Sequence, residues 1–189
     1  MKKKSYKKKR IRIIGGFLKK KLLQVKETLN NRPTTNKKRE TLFEWLRDSI
    51  KNSNCLDCFA GTGALGIEAI SRGANKVLLL ENNKMIISYI YKNIFNIPNI
   101  SAIKIDALKW LKKKGIPYDI IFLDPPFKSN LLQKAISLLE KNNWIKPSSI
   151  VYIEKSKKYN LVNIPKSWIL KKNTKNKNNE YFLYIKKKI

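Results

Sequence analysis

The sequence predicts an α/β domain in which a parallel sheet is covered by helices on both faces. Short apolar runs typical of buried strands alternate with segments of helical periodicity. A glycine-rich loop joins one such strand to the next helix, and several strands end on acidic residues. Ligands bind at the carboxyl ends of the strands in sheets of this kind. The residues that end the strands are therefore the first candidates for a functional site.

The chain is strongly basic for its length of 189 residues, which suffices for one domain with a substantial core. It carries 42 lysines and arginines against 13 aspartates and glutamates, a formal net charge of +29. Such a charge attracts polyanions, and nucleic acid is the first candidate. Drift toward Lys, Asn and Ile in an AT-rich genome is the alternative source of part of the excess. With no recognisable secretory signal or membrane span, the expected location is the cytoplasm.

Histidine is absent, which excludes Ser-His-Asp, Cys-His and His-metal mechanisms. The two cysteines, Cys55 and Cys58, form a C-x-x-C inside a predicted strand. Residues three apart on a strand face opposite sides, so these thiols are poorly placed for a redox pair. No other Cys or His can complete a zinc site. We expect two small core residues and no metal.

Three regions follow one another along the chain. Residues 1–10 form a basic tail that we expect to be disordered, residues 11–51 an extension of hairpin and helix, and residues 52–189 the core. In the extension, the segments "IRIIGG" and "KLLQV" predict two short strands around a turn at Gly15 and Gly16. "RPTTNKKRETLFEWLRDSI" reads as a helix. Its apolar stripe consists of Leu42, Phe43, Leu46 and Ile50.

The core alternates strands with helices. The predicted strands are "CLDCF", "KVLLLE", "ISAIKIDA", "YDIIFLD", "SSIVYIE" and a final pair around a polar turn in "SWILKKNTKNKNNEYFLYIKKK". The predicted helices are Ala64–Ser71, "NKMIISYIYKNIFNI", "LKWLKKK" and "LLQKAISLLEKNNW". Consecutive strands joined by helices lie parallel, so their carboxyl ends share one edge of the sheet.

The segment "GTGALG" satisfies G-x-G-x-x-G through Gly61, Gly63 and Gly66. Alone it fits a dinucleotide-binding dehydrogenase, whose helix N-terminus holds a pyrophosphate, or a tight turn. Asp57 stands just before the loop, where its charge would oppose a pyrophosphate. A carboxylate there suits a ligand that carries positive charge, such as S-adenosylmethionine with its ammonium and sulfonium. Phe59, between Asp57 and the loop, is included in this candidate cofactor site.

Two further acidic residues end strands. Glu81, followed by Asn82, lies 24 residues after Asp57, a separation at which carboxylates hydrogen-bond ribose hydroxyls in adenine-nucleoside sites. Capping the next helix is its alternative role. Asp106, followed by Ala107, could accept a hydrogen bond from an adenine amine. Capping the helix that begins at Ala107 is nearly as good an interpretation.

"DPPF", Asp124 to Phe127, follows the strand "YDIIFLD" and is the most specific feature of the chain. An exocyclic amine of a nucleobase is a poor nucleophile because its lone pair is delocalised into the ring. Acceptors aimed at its N–H groups favour the localised form as positive charge develops. Asp124 and the carbonyl between Pro125 and Pro126 are such acceptors, and Phe127 can stack on a flipped base. The alternative is a rigid turn that caps a helix.

These motifs carry a family resemblance. "D-x-F-A-G-T-G" followed by "DPPF" resembles class I methyltransferases that modify exocyclic amines of nucleobases. With "RIIGG" and "RPTTNKKRETLFEWL" ahead of them, the chain beyond its tail resembles the bacterial 16S rRNA guanine-N2 methyltransferase D family. The resemblance implies a Rossmann-like, seven-stranded, mostly parallel sheet with an N-terminal hairpin and helix. It also implies S-adenosylmethionine, a monomer, and a guanine of small-subunit ribosomal RNA within a ribosomal particle.

The resemblance also places the N-terminal helix over the substrate side, so its basic residues become candidate RNA phosphate contacts. They are Arg32, Lys37, Lys38 and Arg39. A solvated helix face is the equal alternative for each. Three other functions stay open: methylation of adenine N6 in DNA or of a protein amide, RNA binding without catalysis, and a nicotinamide oxidoreductase. Asp57 and DPPF disfavour the last.

Overall fold

The computed structural model describes residues 10–25, 36–126, 130–158 and 163–188. The strands within these ranges are β1 (Arg10–Arg12), β2 (Leu22–Gln24), β3 (Asn54–Asp57), β4 (Lys76–Glu81), β5 (Ile100–Lys104), β6 (Tyr118–Leu123), β7 (Ile145–Ser156), β8 (Trp168–Lys175) and β9 (Asn179–Lys186). The helices are α1 (Asn36–Trp45), α2 (Ala64–Ser71), α3 (Lys84–Ile94), α4 (Ala107–Leu111) and α5 (Leu131–Lys141). Among these residues no helix is long and apolar enough to cross a membrane.

Seven of the strands form one sheet in the order β5-β4-β3-β6-β7-β9-β8. The first five strands in this order run parallel to one another, and β9 runs antiparallel to both β7 and β8. The prediction of a mostly parallel seven-stranded sheet is confirmed. The strand order reverses between β3 and β6, and such a switch point is where doubly wound sheets bind ligands.

Helices cover both faces of this sheet, as the alternating pattern predicts. One buried cluster joins the sheet to α1, α2 and α3, and the other joins it to α4 and α5. Cys55 lies in the first cluster and Cys58 in the second, so the two thiols point to opposite faces. Burial raises the pKa of Cys55 to about 12 and that of Cys58 well above its ordinary value. Both are therefore neutral core residues, as predicted.

The hairpin of β1 and β2 forms a separate two-stranded sheet that docks on α2. The docking centre is the fully buried carboxylate of Glu68, which accepts hydrogen bonds from the N–H groups of Ile14 and Gly15, both at 2.8 Å. It also accepts from Nε of Arg72 at 2.8 Å. At Gly16, with φ of +73°, a Cβ atom would stand 1.6 Å from the Ser71 carbonyl oxygen. The hairpin is thus held against the helix that the glycine loop begins.

Replacing Glu68 by alanine is expected to lower the free energy of unfolding by about 3–5 kcal/mol. The substitution leaves two hairpin N–H groups without their acceptor, and it leaves the buried guanidinium of Arg39 without the carboxylate charge that lies 3.6 Å from it. Urea unfolding measures the change. Glu44→Ala is the matched control, because the ion pair of Glu44 with Arg47 is exposed and such pairs contribute about 0–1 kcal/mol. Equal losses in the two variants would contradict the role given to Glu68.

Candidate active site

The glycine loop runs from the end of β3 into α2 with two residues in left-handed backbone geometry. Gly61 has φ of +52° and Gly63 of +76°, and Gly63 is the residue that precedes the first turn of α2. Gly66 serves a different purpose. A Cβ atom there would stand 2.2 Å from Cδ2 of Leu79 and 3.0 Å from Cγ1 of Val77. The third glycine therefore lets α2 lie close against β4, and the first two shape the loop itself.

Asp57 is a buried carboxylate at the end of β3, and only 1% of its surface is exposed. Neither oxygen has a hydrogen-bond partner of ordinary geometry among the described residues. Burial raises the pKa of Asp57 to about 7, against the effect of the nearby N–H groups of Phe59 and Gly66. An uncompensated carboxylate in the interior is costly, and a cation bound next to it removes that cost. The arrangement fits a positively charged ligand, such as the ammonium group of S-adenosylmethionine.

Glu81 connects the glycine loop to the start of α3. One carboxylate oxygen accepts the N–H of Gly61 at 3.0 Å and the other accepts the N–H of Asn83 at 2.8 Å. Burial raises the pKa of Glu81. Asn82 beside it is exposed. The ribose contact foreseen for Glu81 remains a prediction, and the structure adds a second role, because Glu81 also fixes the loop that the cofactor would approach.

Asn83 is a contributor that the sequence reasoning missed. Its side-chain oxygen accepts hydrogen bonds from the N–H groups of Met85 at 2.9 Å and Ile86 at 3.2 Å, and so caps α3. The sequence contains a signal for this cap, because an asparagine directly before a segment of helical apolar periodicity is a favoured helix start. Asn83 rather than Glu81 thus caps this helix through its side chain.

Replacing Glu81 by glutamine is expected to weaken binding of S-adenosylmethionine by roughly 10- to 100-fold, the value of one hydrogen bond to a charged group. The amide has one acceptor atom for the two N–H groups that the carboxylate now serves. Isothermal titration calorimetry measures the change. Asp48→Asn, an equivalent substitution at an exposed turn, should bind as the wild type does. Unchanged affinity in Glu81→Gln would refute the bridging role.

Asp106 caps α4, the alternative that its sequence position left open. Its Oδ1 atom accepts the N–H of Lys109 at 2.9 Å, and Ala107 is the buried first residue of the helix. Just before it, the N–H of Ile105 donates to the carbonyl oxygen of Glu81 at 3.0 Å. Asp106 and Glu81 therefore lie at the same edge of the sheet. An adenine contact from Asp106 or Ala107 stays a prediction. The capping role of Asp106 does not exclude it.

Asp124 lies at the switch point, directly after β6. Asp57 of β3 pairs with Phe122 of β6, and the N–H of Cys58 donates to the Phe122 carbonyl at 3.1 Å. Neighbouring strands lie about 4.8 Å apart, so the DPP turn begins beside the glycine loop. Asp124 is partly buried, Pro125 buried and Pro126 exposed. Phe127 lies outside the described residues, so base stacking by it stays a prediction.

The structure corrects the prediction that Arg39 contacts RNA phosphate. Arg39 is completely buried under the hairpin. Its Nη2 atom donates to the carbonyl of Arg12 at 2.6 Å and to Oδ1 of Asn36 at 2.8 Å, and its Nη1 atom lies 3.6 Å from Glu68. Desolvation lowers the pKa of Arg39. Its guanidinium cannot reach a phosphate, because it holds the extension to α2.

The other three basic candidates differ from Arg39. Lys37 is exposed on α1. Lys38 is partly buried, with its Nζ atom 3.3 Å from Oε1 of Glu154 and 4.7 Å from the centre of the Tyr181 ring. Arg32 lies outside the described residues. Lys37 is thus the described candidate best placed to meet a phosphate, and Lys38 is already paired.

The sheet order, the unpaired acid before a glycine loop, the acid that ends the next strand and the DPP turn at the switch point together define a class I methyltransferase. Residues 11–185 match the model of the family described as Conserved hypothetical protein 95. The chain belongs to this family, that of ribosomal RNA small subunit methyltransferase D.

Individual relatives cover nearly the whole chain. Ribosomal RNA small subunit methyltransferase D of Buchnera aphidicola subsp. Acyrthosiphon pisum is 50% identical over 179 residues, 93% of each chain. The protein of that name from Escherichia coli K12 is 41% identical over 162 residues, 85% of this chain and 82% of the relative. The solved yhhF protein of Escherichia coli superposes with a TM-score of 0.89 at 39% identity, covering 95% of this chain and 99% of that one.

Proposed function

We propose that this protein uses S-adenosylmethionine to methylate the exocyclic N2 amine of a guanine in 16S ribosomal RNA, acting as a monomer on a protein-bound assembly intermediate. The observation that carries the proposal is the DPP turn beside the glycine loop at the switch point, where a base amine and a methyl donor would meet. The relatives named ribosomal RNA small subunit methyltransferase D support the RNA and the subunit.

Four features of the chain fit the methyl donor. The unpaired carboxylate of Asp57 suits its ammonium group, and the loop of Gly61 and Gly63 allows close approach of the backbone. Glu81 would hold the ribose hydroxyls, and the start of α4 at Asp106 would meet the adenine. When bound, the cofactor supplies an electrophilic methyl group on a sulfonium.

The amine is activated by acceptors on the DPP turn. The Asp124 carboxylate and the Pro125 carbonyl would accept the two N–H groups of the guanine amine and so orient its nitrogen lone pair toward a bound methyl donor. With S-adenosylmethionine bound, the amine nitrogen would gain the methyl carbon in place of the methyl–sulfur bond, and the electron pair of that bond would stay on sulfur. The extra proton on nitrogen then leaves, with Asp124 in position to take it.

Transfer of a tritiated methyl group from S-adenosylmethionine tests the proposal. Small-subunit RNA that carries ribosomal proteins should be labelled by the wild type, and the Asp124→Ala variant should label it roughly 10²- to 10³-fold more slowly. If the wild type labels neither naked nor protein-bound small-subunit RNA, the proposed substrate is wrong. If the label enters only the naked RNA, the protein-bound intermediate is wrong and the RNA substrate stands.

A further inference from the structure

A cavity of about 490 Å³ lies between α1, β7 and the turn that joins β8 to β9. Its aromatic wall consists of Trp45, Tyr152 and Tyr181. The two tyrosines are almost completely buried and form the floor, whereas Trp45 keeps part of its surface exposed. The volume lies within the range of about 300–1,000 Å³ that is usual for small-ligand sites.

The rim of this cavity is basic. Lys37, Lys38 and Lys175 line it together with polar side chains such as Asn176. Lys38 is paired with Glu154, but neither Lys37 nor Lys175 forms an ion pair with any described carboxylate. Both are exposed. Lys175 lies opposite Glu180 on the neighbouring strand, but the carboxylate of Glu180 forms its ion pair with Lys155. Two ammonium groups outside the described ion pairs, beside a partly exposed indole, match the phosphate and the base of a nucleotide.

The cavity lies next to the proposed catalytic turn without including it. Tyr152 on its floor pairs with Phe122, two residues before Asp124 on the neighbouring strand. Burial raises the pKa of Tyr152, and the charges of Glu154 and then Asp124 add to it, so Asp124 lies near the floor of the cavity. None of the described lining residues belongs to the DPP turn. A base undergoing methylation must contact Asp124, so the cavity suits a different nucleotide of the same strand.

We infer that this cavity binds a nucleotide of single-stranded RNA that flanks the methylated guanine, with its base on Trp45 and its phosphates at Lys37 and Lys175. The inference rests on the proposed function for the identity of the strand. It assigns α1 and the β8–β9 turn to substrate recognition. The flanking contact would align the RNA so that the adjoining guanine reaches the DPP turn.

Binding of a fluorescein-labelled single-stranded RNA oligonucleotide of about a dozen nucleotides, followed by fluorescence anisotropy, tests the inference. Trp45→Leu should weaken binding by about 5- to 100-fold, because it removes the stacking surface, and Trp45→Phe should keep most of the affinity. Lys37→Ala and Lys175→Ala should each make the negative slope of log affinity against log salt shallower by about 0.7. Lys76→Ala, at the amino end of β4 and away from the cavity, should leave the slope unchanged. If all of these variants bind as Lys76→Ala does, the inference is wrong.

A second measurement covers the case in which Trp45→Leu does not fold. The wild-type chain is irradiated with RNA that contains 4-thiouridine, and the adducts are located by mass spectrometry. Adducts on Trp45 or on residues 174–176 support the cavity, and adducts confined to other regions overturn it.

The two proposals fail separately. RNA binding that depends on Trp45 and Lys175, without transfer of any methyl group, would overturn the proposed enzyme and leave the cavity as an RNA site. If the chain methylates a guanine but its RNA binding does not depend on Trp45 or Lys175, the proposed cavity site is wrong and the proposed enzyme stands.

Discussion

Replacing Asp124 by alanine is expected to reduce the rate of methyl transfer by roughly 10²- to 10³-fold at saturating cofactor and RNA, as removal of one transition-state hydrogen-bond partner does. The loss falls on kcat, because the contact with the amine strengthens only as positive charge develops on nitrogen. Initial rates with tritiated S-adenosylmethionine measure it.

Asp124→Asn refines this test. Its amide oxygen still accepts one N–H of the amine but has no negative charge, so its rate should lie between those of the wild type and Asp124→Ala. Asp48→Ala, an exposed turn residue, controls for the loss of one negative charge. A rate for Asp124→Ala within about threefold of the wild type would remove Asp124 from the mechanism, since one such contact contributes far more than that.

Replacing Asp57 by asparagine should raise the free energy of unfolding and lower the affinity for the cofactor. Burial raises the pKa of Asp57 from 3.8 to about 7, so the folded chain keeps a proton that the unfolded chain releases. The free energy of unfolding of the wild type should therefore fall as pH rises from about 4 to about 7, by up to roughly 4 kcal/mol at about 1.4 kcal/mol for each pKa unit. The asparagine cannot ionise, so this fall should be absent from Asp57→Asn.

The same substitution removes the proposed partner of the cofactor's ammonium. We expect S-adenosylmethionine to bind Asp57→Asn roughly 10- to 100-fold more weakly at about pH 8, the value of one charge-assisted hydrogen bond. Urea unfolding at about pH 5 and about pH 8 measures the stability, and calorimetry the affinity. A variant that binds the cofactor as tightly as the wild type would show that Asp57 is only a buried acid.

Much of the fold follows from local pattern. The helix Ala64–Ser71 and the strand "KVLLLE" have the bounds that the sequence predicts, because a glycine at each end of the helix and an unbroken apolar run leave few alternatives. The edge position of Asp57 and Asp124 also follows, since parallel strands share their carboxyl ends.

Contacts across long stretches of chain could not be predicted. Arg39 lies in a lysine-rich segment whose composition predicts an exposed surface. Its partner Glu68 lies on another helix, which contacts Arg39 only in the folded chain. Glu81 has a second role because the Gly61 N–H happens to face it from the neighbouring strand's loop. The cavity combines α1 with a turn near residue 176, a juxtaposition that no local periodicity encodes.

The proposed reaction places a methyl group on N2 of a guanine in small-subunit ribosomal RNA. Nucleoside mass spectrometry of that RNA, from cells with and without the protein, tests it most directly. One N2-methylguanosine should disappear without the protein and return with the wild type, whereas Asp124→Ala should restore only a small part of it. An unchanged set of methylated guanosines, or a lost methyl group on adenine instead, would contradict it.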